Sequence, residues 1–304
     1  MNYCFYHMAD LDGKSSGAIV KKHFSQGWDC KGRERPCEFV PFNYSHELDV
    51  SRFKWGDVVY FLDCTPEDRL MELHEIIGSG LFVIDHHASF FRTVTYDKLK
   101  KLLPMNIVCD SKYAACELVW KHFYASPVPK AIHLLGQYDS WRDTEERKHE
   151  FDYDWETQVM PFQFGMRHQE FDADKFIAEY LCGGEVNYSV EKTQTTGKII
   201  LDYQDTQNSM AMKSSFEATI KGYKCLCLNA GNRNSRVFRD RWDKKRHDFM
   251  MAFSMSKNGK WSYSFYTDRE DRDASKIAAE FGGGGHKGAS GCYSDVLIFE
   301  DQDA

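Results

Sequence analysis

The chain has 304 residues, of which 42% are apolar, 28% are charged and 7 are prolines, so it has the material for a hydrophobic core and lacks the composition of a disordered tail. Two domains are the better expectation at this length. The 39 Lys and Arg against 46 Asp and Glu give a formal net charge of −7, which excludes a uniformly basic nucleic-acid coat and leaves local basic patches open.

The amino-terminal half alternates short apolar runs with amphipathic segments of helical length. We predict strands at residues 3–7, 57–62 and 81–84 and helices at residues 16–24, 66–77, 112–123 and 129–135. The second and third strands are apolar throughout, as in a parallel sheet that helices cover on both faces. Residues 1–145 are therefore predicted to form an α/β domain with a parallel sheet.

The remaining residues divide into a connector and a smaller unit. Residues 143–156 are acidic, and helices are predicted at residues 172–181 and 186–213, so we assign residues 146–213 to a helical connector. Beyond it we predict a helix at 274–281 and strands at 216–220, 224–229, 247–256, 261–266 and 296–299. Residues 214–304 are thus predicted to form an α+β domain.

Two observations bear on the location of the protein. Since no apolar run approaches the ~20 residues of a membrane span, and the first residues lack the basic region of a signal peptide, we expect a cytoplasmic protein with no membrane partner. The 10 cysteines are scattered without the C-x-x-C spacing of a zinc site. Structural zinc is therefore not expected.

Acidic and histidine side chains follow the predicted strands. They are His7, Asp10 and Asp12 after the first strand, Asp63 after the second, Asp85, His86 and His87 after the third, and Asp139 after a helical run. An open α/β sheet binds its ligand at the carboxyl ends of its strands. We therefore expect these side chains to converge at one edge.

Each of these residues has a structural explanation when it is taken alone. Asp63 precedes Thr65-Pro66 and fits a solvated turn, and Asp139 fits a helix cap. Several carboxylates and imidazoles at one sheet edge, however, would repel or be desolvated unless cations neutralised them. Mixed imidazole and carboxylate ligands without thiolate suit Mn²⁺ better than they suit Ca²⁺ or a cysteine-rich zinc site.

These motifs resemble those of the DHH phosphoesterases, a family named for the triplet that here is Asp85-His86-His87. The resemblance covers His7, Asp10, Asp12, Asp63, the triplet and Asp139. It extends to the family's associated carboxyl-terminal domain through residues 282–291, Gly-Gly-Gly-Gly-His-Lys-Gly-Ala-Ser-Gly. The matching motifs therefore span nearly the whole chain.

The resemblance implies a hydrolase with two Mn²⁺ ions, or Mg²⁺ or Co²⁺ as substitutes, in a cleft between the two domains. It assigns His7, Asp10 and Asp63 to one ion and Asp12, Asp63, His86 and Asp139 to the other. It also implies that Asp63 bridges the ions and that His87 contacts the scissile phosphate, which makes both catalytic. The first motif is compact, so the partition of ligands between the ions stays open. Cys64 is interpreted as a packing residue because no neighbouring base would activate it.

Two features of the smaller domain are candidates for substrate binding. The loop residues Gly283, Gly284, Gly285 and His286 fit either a flexible turn or, given the resemblance, a backbone that approaches a phosphate closely. The stretch 233–247 has seven Lys and Arg against two Asp, a local charge of 7 − 2 = +5. It fits a solvated loop or a phosphate contact, for which Arg236 is favoured over Arg269 and Arg272.

Taken together, these features favour a phosphodiesterase similar to the nano-RNase branch of the family, an exonuclease that degrades short single-stranded oligonucleotides to mononucleotides. The alternatives are a cyclic or linear dinucleotide phosphodiesterase, a RecJ-type single-strand DNA exonuclease and, from a different class, a non-catalytic nucleotide sensor. The intact set of metal ligands argues against the sensor. Substrate length, the choice between RNA and DNA, and a homodimeric state stay open.

Overall fold

Five parallel strands form the sheet of the amino-terminal part of the chain. The computed structural model describes residues 1–25, 36–87, 89–143, 148–182, 185–285 and 287–299. The strands are β1 (Asn2–His7), β2 (Cys37–Phe42), β3 (Val58–Leu62), β4 (Leu81–Asp85) and β5 (Ile107–Cys109). They lie in the order β2-β1-β3-β4-β5, and each neighbouring pair is parallel.

Helices cover both faces of this sheet, because the central strands are apolar on both faces. The helices are α1 (Leu11–Ser25), α2 (Glu67–Ile77), α3 (Val94–Leu102), α4 (Ala115–Phe123) and α5 (Lys130–Asp139). Leu62 and Ile84 pack into one core with α1, α4 and α5, whereas Phe61 and Val83 pack into the opposite core with α2 and α3. This alternation follows from the two-residue period of a strand.

The predicted strands β1, β3 and β4 are present, but β2 and β5 were not predicted. Strand β2 contains Pro41, which cannot donate a ladder hydrogen bond and argues against a central strand. It is tolerated because β2 lies at the edge of the sheet beside β1. Strand β5 has only three residues, too few for a visible pattern.

Helical structure continues beyond residue 145. Three helices follow, α6 (Met160–Arg167), α7 (Ala173–Phe176) and α8 (Val186–Met212). The helix predicted at residues 172–181 consists of α7 and the π-helical turn Ile177–Leu181. The chain divides into two compact units, Met1–Ile200 and Leu201–Ala304, so the boundary lies within α8.

The second unit contains a mixed sheet of six strands. The strands are β6 (Phe216–Ile220), β7 (Tyr223–Asn229), β8 (Phe249–Met255), β9 (Trp261–Tyr266), β10 (Gly284–Gly285) and β11 (Ala289–Ser294), with helix α9 (Ala274–Ala279) before β10. Their order is β10-β11-β9-β8-β7-β6. Among the neighbouring pairs of these six strands, only β7 and β8 are parallel.

Local sequence explains parts of this second sheet. Lys221 and Gly222 both have positive φ, at 51° and 76°, which is the backbone pattern of a type I′ hairpin turn. The parallel β7–β8 pair needs a crossover, and the basic stretch 233–247 provides it, with Val237 and Phe238 buried against β7 and β8. Within the described residues the last strand is β11, whereas the sequence pattern predicted the last strand at residues 296–299.

The predicted fold class is confirmed, with a parallel-sheet α/β unit followed by a smaller α+β unit. Among the described residues, no helix combines the length and the apolar character that crossing a membrane requires.

Candidate metal centre

The carboxyl ends of three neighbouring strands carry the polar residues of the candidate site. His7 is the last residue of β1, Asp63 follows β3, and Asp85 is the last residue of β4. Since β1, β3 and β4 are adjacent and parallel, these ends lie side by side. Asp12, in the first turn of α1, and Asp139, the last residue of α5, come to the same edge.

Three overlapping groups of possible ligands lie at this edge among the described residues, and one of them consists of Asp63, His86 and His87. The other two correspond to the ligand sets that the resemblance implies. In the first, Nδ1 of His7 is 2.7 Å from Oδ2 of Asp10 and 3.4 Å from Oδ2 of Asp63. In the second, Nε2 of His86 is 3.2 Å from Oδ2 of Asp139 and 3.6 Å from Oδ2 of Asp12. Each group brings together imidazole and carboxylate atoms at spacings that allow a single cation to be held.

The carboxylate of Asp63 lies between the groups that contain His7 and His86. Its Oδ2 faces His7, and its Oδ1 lies 3.3 Å from Nε2 of His86. Its backbone has a φ of 58°, in the left-handed region where Asp and Asn are tolerated better than most residues, and its amide donates to the carbonyl of Ile84 (3.0 Å). The turn thus fixes this carboxylate between the two groups, and such backbone strain is characteristic of functional sites.

Three buried atoms of the centre lack a hydrogen bond of acceptable geometry within the described part of the chain. They are Nδ1 of His7, Oδ1 of Asp63 and Nε2 of His86. The nearest carboxylate oxygens lie 2.7 Å from Nδ1 of His7 and 3.2 Å from Nε2 of His86. Buried polar atoms are normally satisfied, so three such atoms in one cluster fit a site whose remaining partners are cations.

The electrostatic surroundings agree with this interpretation. Burial raises the pKa of Asp63 and of Asp12. The carboxylates of Asp10 and Asp63 raise the pKa of His7 to about 10, and those of Asp139 and Asp63 raise the pKa of His86 to about 12 although burial opposes this. The pocket therefore has an excess of negative charge, which divalent cations would offset.

Helix starts hold two of the carboxylates in place. The oxygens of Asp12 accept from the amides of Ala115 (2.9 Å) and Cys116 (2.7 Å) at the start of α4. Asp10 accepts from the amide of Gly13 (2.9 Å) in the first turn of α1. Helix amino termini stabilise negative charge, so both carboxylates are oriented before any ligand binds.

Asp85 orients His87, a role that the sequence motifs did not reveal. The buried Asp85 accepts from the amides of His86 (2.7 Å) and His87 (2.9 Å) and from the hydroxyl of Thr65. It also lies 2.7 Å from Nδ1 of His87. With Nδ1 engaged, Nε2 of His87 is left for another partner, and 32% of this side chain is exposed against 11% for His86.

A buried ion pair, also missed in the sequence, supports the second ligand group. Arg142 donates to both oxygens of Glu117 (2.9 and 3.0 Å), and Glu117 accepts from the amide of Ala114 at the start of α4. Arg142 is 2% exposed and follows Asp139 by three residues. The pair therefore joins the helix start that holds Asp12 to the segment that carries Asp139.

Tyr44 and Cys64 flank the centre. The ring centroid of Tyr44 is 5.6 Å from that of His7 and 6.2 Å from that of His87, and no sequence motif indicated this aromatic contact. Cys64 is buried in the core beneath the sheet edge, and burial raises the pKa of its thiol. Both properties agree with the packing role that was predicted for Cys64.

The substrate-binding candidates belong to the second unit. Arg236 donates from Nε and Nη2 to the two oxygens of Asp205, both at 2.8 Å. Arg269 and Arg272 pair with Asp248 and Asp271. Gly284 and Gly285 form β10, preceded by Gly283, while His286 lies outside the described residues. Phosphate binding by these groups stays a prediction.

No family model matches the chain. An uncharacterized protein of Acanthamoeba polyphaga mimivirus is 26% identical over 336 aligned residues, covering 98% of this chain and 69% of the viral protein.

Among solved structures, the exonuclease RecJ bound to manganese is similar with a TM-score of 0.48 and 14% identity, over 97% of this chain and 86% of RecJ. The pGpG-specific phosphodiesterase PggH from Vibrio cholerae has a TM-score of 0.47 and 13% identity, over 96% of this chain and 92% of PggH. The first of these proteins is an exonuclease and the second is a phosphodiesterase.

Proposed function

We propose that the chain is a DHH-family phosphodiesterase that uses two divalent cations to hydrolyse short oligonucleotides to mononucleotides. The observation that carries this proposal is the position of Asp63, whose two carboxylate oxygens face two separate groups of imidazole and carboxylate ligands. A carboxylate placed in this way suits a bridging ligand between two ions.

We assign the ligands to the two ions as the resemblance implies. His7, Asp10 and Asp63 would hold one ion, and Asp12, Asp63, His86 and Asp139 would hold the other. The mixture of nitrogen and oxygen donors favours Mn²⁺, with Mg²⁺ or Co²⁺ as substitutes. The three buried atoms without a well-formed hydrogen bond support this assignment because each would gain a partner.

When bound, two such cations would polarise the phosphoryl oxygens and lower the pKa of an attacking water. The residues of the protein itself orient the groups that contact the substrate. Asp85 fixes the ring of His87 through Nδ1, so that Nε2 can donate to a phosphate oxygen or to the leaving oxygen. In this scheme Asp63 and His87 are the catalytic residues, and Asp85 is a positioning residue.

The proposed substrate is a short single-stranded nucleic acid, as in the nano-RNase branch. Phosphates away from the scissile bond are assigned to the second unit, through Arg236, the backbone of residues 283–285 and His286. Such contacts add affinity without generating the nucleophile. They would therefore affect KM more than kcat.

Hydrolysis of an end-labelled length series, from dinucleotides to long oligomers of RNA and DNA, tests the substrate. Cyclic dinucleotides and pyrophosphate are assayed in parallel, with and without Mn²⁺. We expect Mn²⁺-dependent release of mononucleotides, fastest for the shortest substrates. Preference for a cyclic dinucleotide or for long DNA would instead select one of the two alternative phosphodiesterases, and no turnover at full metal occupancy would favour the sensor.

A further inference from the structure

An open cavity of about 420 Å³ lies in the first unit beside α1. We name it the α1 cavity, and the residues of interest in its wall are Tyr6, Lys14, Lys21, Phe39, Glu170 and Phe171. They come from β1, α1, β2 and the segment before α7. The metal ligands do not line it, so the cavity is separate from the metal centre.

Three aromatic rings give the cavity a surface suited to a flat ligand. Tyr6, Phe39 and Phe171 are each partly buried against the core and line the space. A Cβ added at Gly17 would lie 2.8 Å from Cγ of Tyr6, so the absence of a side chain there allows the Tyr6 ring to lie against α1. Nucleobases stack favourably on such rings.

Two lysines give the same cavity an anion-binding character. Lys14 and Lys21 are seven residues apart on α1 and therefore project from one helix face. Lys21 pairs with Asp174 at 2.7 Å, whereas Lys14 has no ion-pair partner within the described ranges. A cation without such a partner, in a protein of net charge −7, is suited to bind a phosphate.

Part of the cavity wall is adjacent in sequence to two of the proposed metal ligands. Met8, which also lines it, directly follows His7, and its amide donates to the carbonyl of Phe42 (2.9 Å). The amide of Lys14 contacts the carbonyl of Asp10 (3.4 Å) within the same turn of chain. A ligand in the cavity would thus have one end close to the backbone that carries two metal ligands.

We infer that the α1 cavity binds one nucleotide, with its base among Tyr6, Phe39 and Phe171 and its phosphate at Lys14. The carboxylate of Glu170 can accept from the amino group of a base. Resting on the proposed function, this nucleotide is the terminal residue of the oligonucleotide, and the cavity is what favours short substrates.

Calorimetric titration of the metal-loaded full chain tests the inference with 5′-GMP and with ribose 5-phosphate, which lacks the base. We expect 5′-GMP to bind more tightly. Phe39→Ala should weaken 5′-GMP about tenfold, the equivalent of ~1.4 kcal/mol, and leave ribose 5-phosphate unchanged. Lys14→Met should weaken both probes. Phe39→Leu, which preserves apolar volume without the ring, guards against loss of folding and should resemble Phe39→Ala.

Phe151→Ala and Lys101→Met are matched controls, because both side chains are exposed and lie outside the cavity wall. Equal affinity for the two probes, or unchanged binding in the Phe39 and Lys14 variants, would overturn the inference. Hydrolysis of bis-p-nitrophenyl phosphate is measured on the same samples. Its absence, with nucleotide binding intact, would contradict the proposed function alone, whereas its presence without nucleotide binding would contradict only the cavity.

Discussion

The two units differ in how their clusters of charged groups are arranged. In the first unit, carboxylates and imidazoles are collected at one sheet edge, and three of their buried atoms lack a well-formed hydrogen bond within the described residues. In the second unit, cations pair with nearby anions, as the exposed Arg246 does with Glu217 (2.7 Å) and the partly buried Arg236 does with Asp205. A buried cluster of charged groups that lack well-formed mutual hydrogen bonds therefore identifies a ligand site better than a high number of charged residues does.

The basic stretch 233–247 illustrates the difference. Its local charge of +5 suggested a phosphate-binding surface, but in the structure it is the crossover between β7 and β8, and Val237 and Phe238 anchor it in the core. Arg241 donates to the carbonyls of Met212 and Ser215. Part of the positive charge therefore serves the local fold, which a count along the sequence cannot reveal.

The largest expected effect is at the centre of the first unit. Asp63→Asn should lower hydrolysis by about 10³-fold or more, because removal of a bridging carboxylate forfeits several kcal/mol of transition-state stabilisation. Asn tolerates the positive φ at this position, so the fold should be preserved. Elemental analysis of the dialysed protein should show fewer bound ions, and a fluorometric assay of oligonucleotide hydrolysis should show the loss of rate.

Asp68→Asn is the matched control for this variant, since Asp68 is an exposed carboxylate in the first turn of α2. It should retain both metal and rate. Full metal occupancy and near wild-type turnover in Asp63→Asn would rule out the bridging role.

The sequence predicts the central strands and the convergence of the site for one physical reason. Apolar runs that end in Asp or His specify both a buried strand and a polar strand end, as in β3 before Asp63. Strand direction then places these ends together. This information is local, and it can be read along the chain without knowledge of distant contacts.

The supporting contacts depend on tertiary structure and could not be predicted. Glu117 and Arg142 are 25 residues apart, and neither lies in a recognisable motif. Tyr44 reaches His7 and His87 from the loop after β2, a strand that itself was not predicted. Such contacts depend on how distant elements pack, which the local pattern does not encode.

The buried and exposed ion pairs should differ in their effect on stability. Arg142→Met should lower the free energy of unfolding by about 3–5 kcal/mol, because Glu117 and Asp152 would be left buried without their cation. The same substitution at the exposed Arg246 in the second unit should cost about 1 kcal/mol or less. Urea unfolding followed by circular dichroism measures both.

Arg142→Met should also weaken Mn²⁺ binding in calorimetric titrations, since the pair joins the elements that carry Asp12 and Asp139. If the two arginine variants were equally stable and bound Mn²⁺ equally well, the difference drawn between the units would not hold.

A smaller effect on stability is expected from the pH dependence of Asp152, which pairs with Arg142. Burial alone would raise the pKa of Asp152, but hydrogen bonds with His133 and the amide of His149, together with the charge of Arg142, lower it. A carboxyl whose pKa is lowered by folding adds stability above its unfolded pKa and loses that contribution as pH falls through its folded pKa. Asp152→Asn should therefore be less stable than wild type at neutral pH.

The difference in unfolding free energy between Asp152→Asn and wild type should shrink when the pH is lowered to about 3, below the ordinary pKa range of carboxyl groups. Urea unfolding of both proteins at the two pH values measures the change. A deficit that is independent of pH would show that Asp152 acts through packing and neutral hydrogen bonds instead of through its charge.

The smallest effect is expected in the second unit, where Arg236 already shares its charge with Asp205. Arg236→Ala should raise KM for a dinucleotide only a few-fold and leave the hydrolysis of bis-p-nitrophenyl phosphate unchanged, because the smaller ester has no second phosphate to hold. Asp205→Asn supplies the opposing change, since it releases the guanidinium without removing it. If Arg236 binds substrate, Asp205→Asn should lower KM while Arg236→Ala raises it. A purely structural pair predicts instead that both variants lower the thermal midpoint equally and leave KM unchanged. Steady-state kinetics and thermal unfolding of the two variants thus decide whether any of the second unit's paired charge is available to substrate.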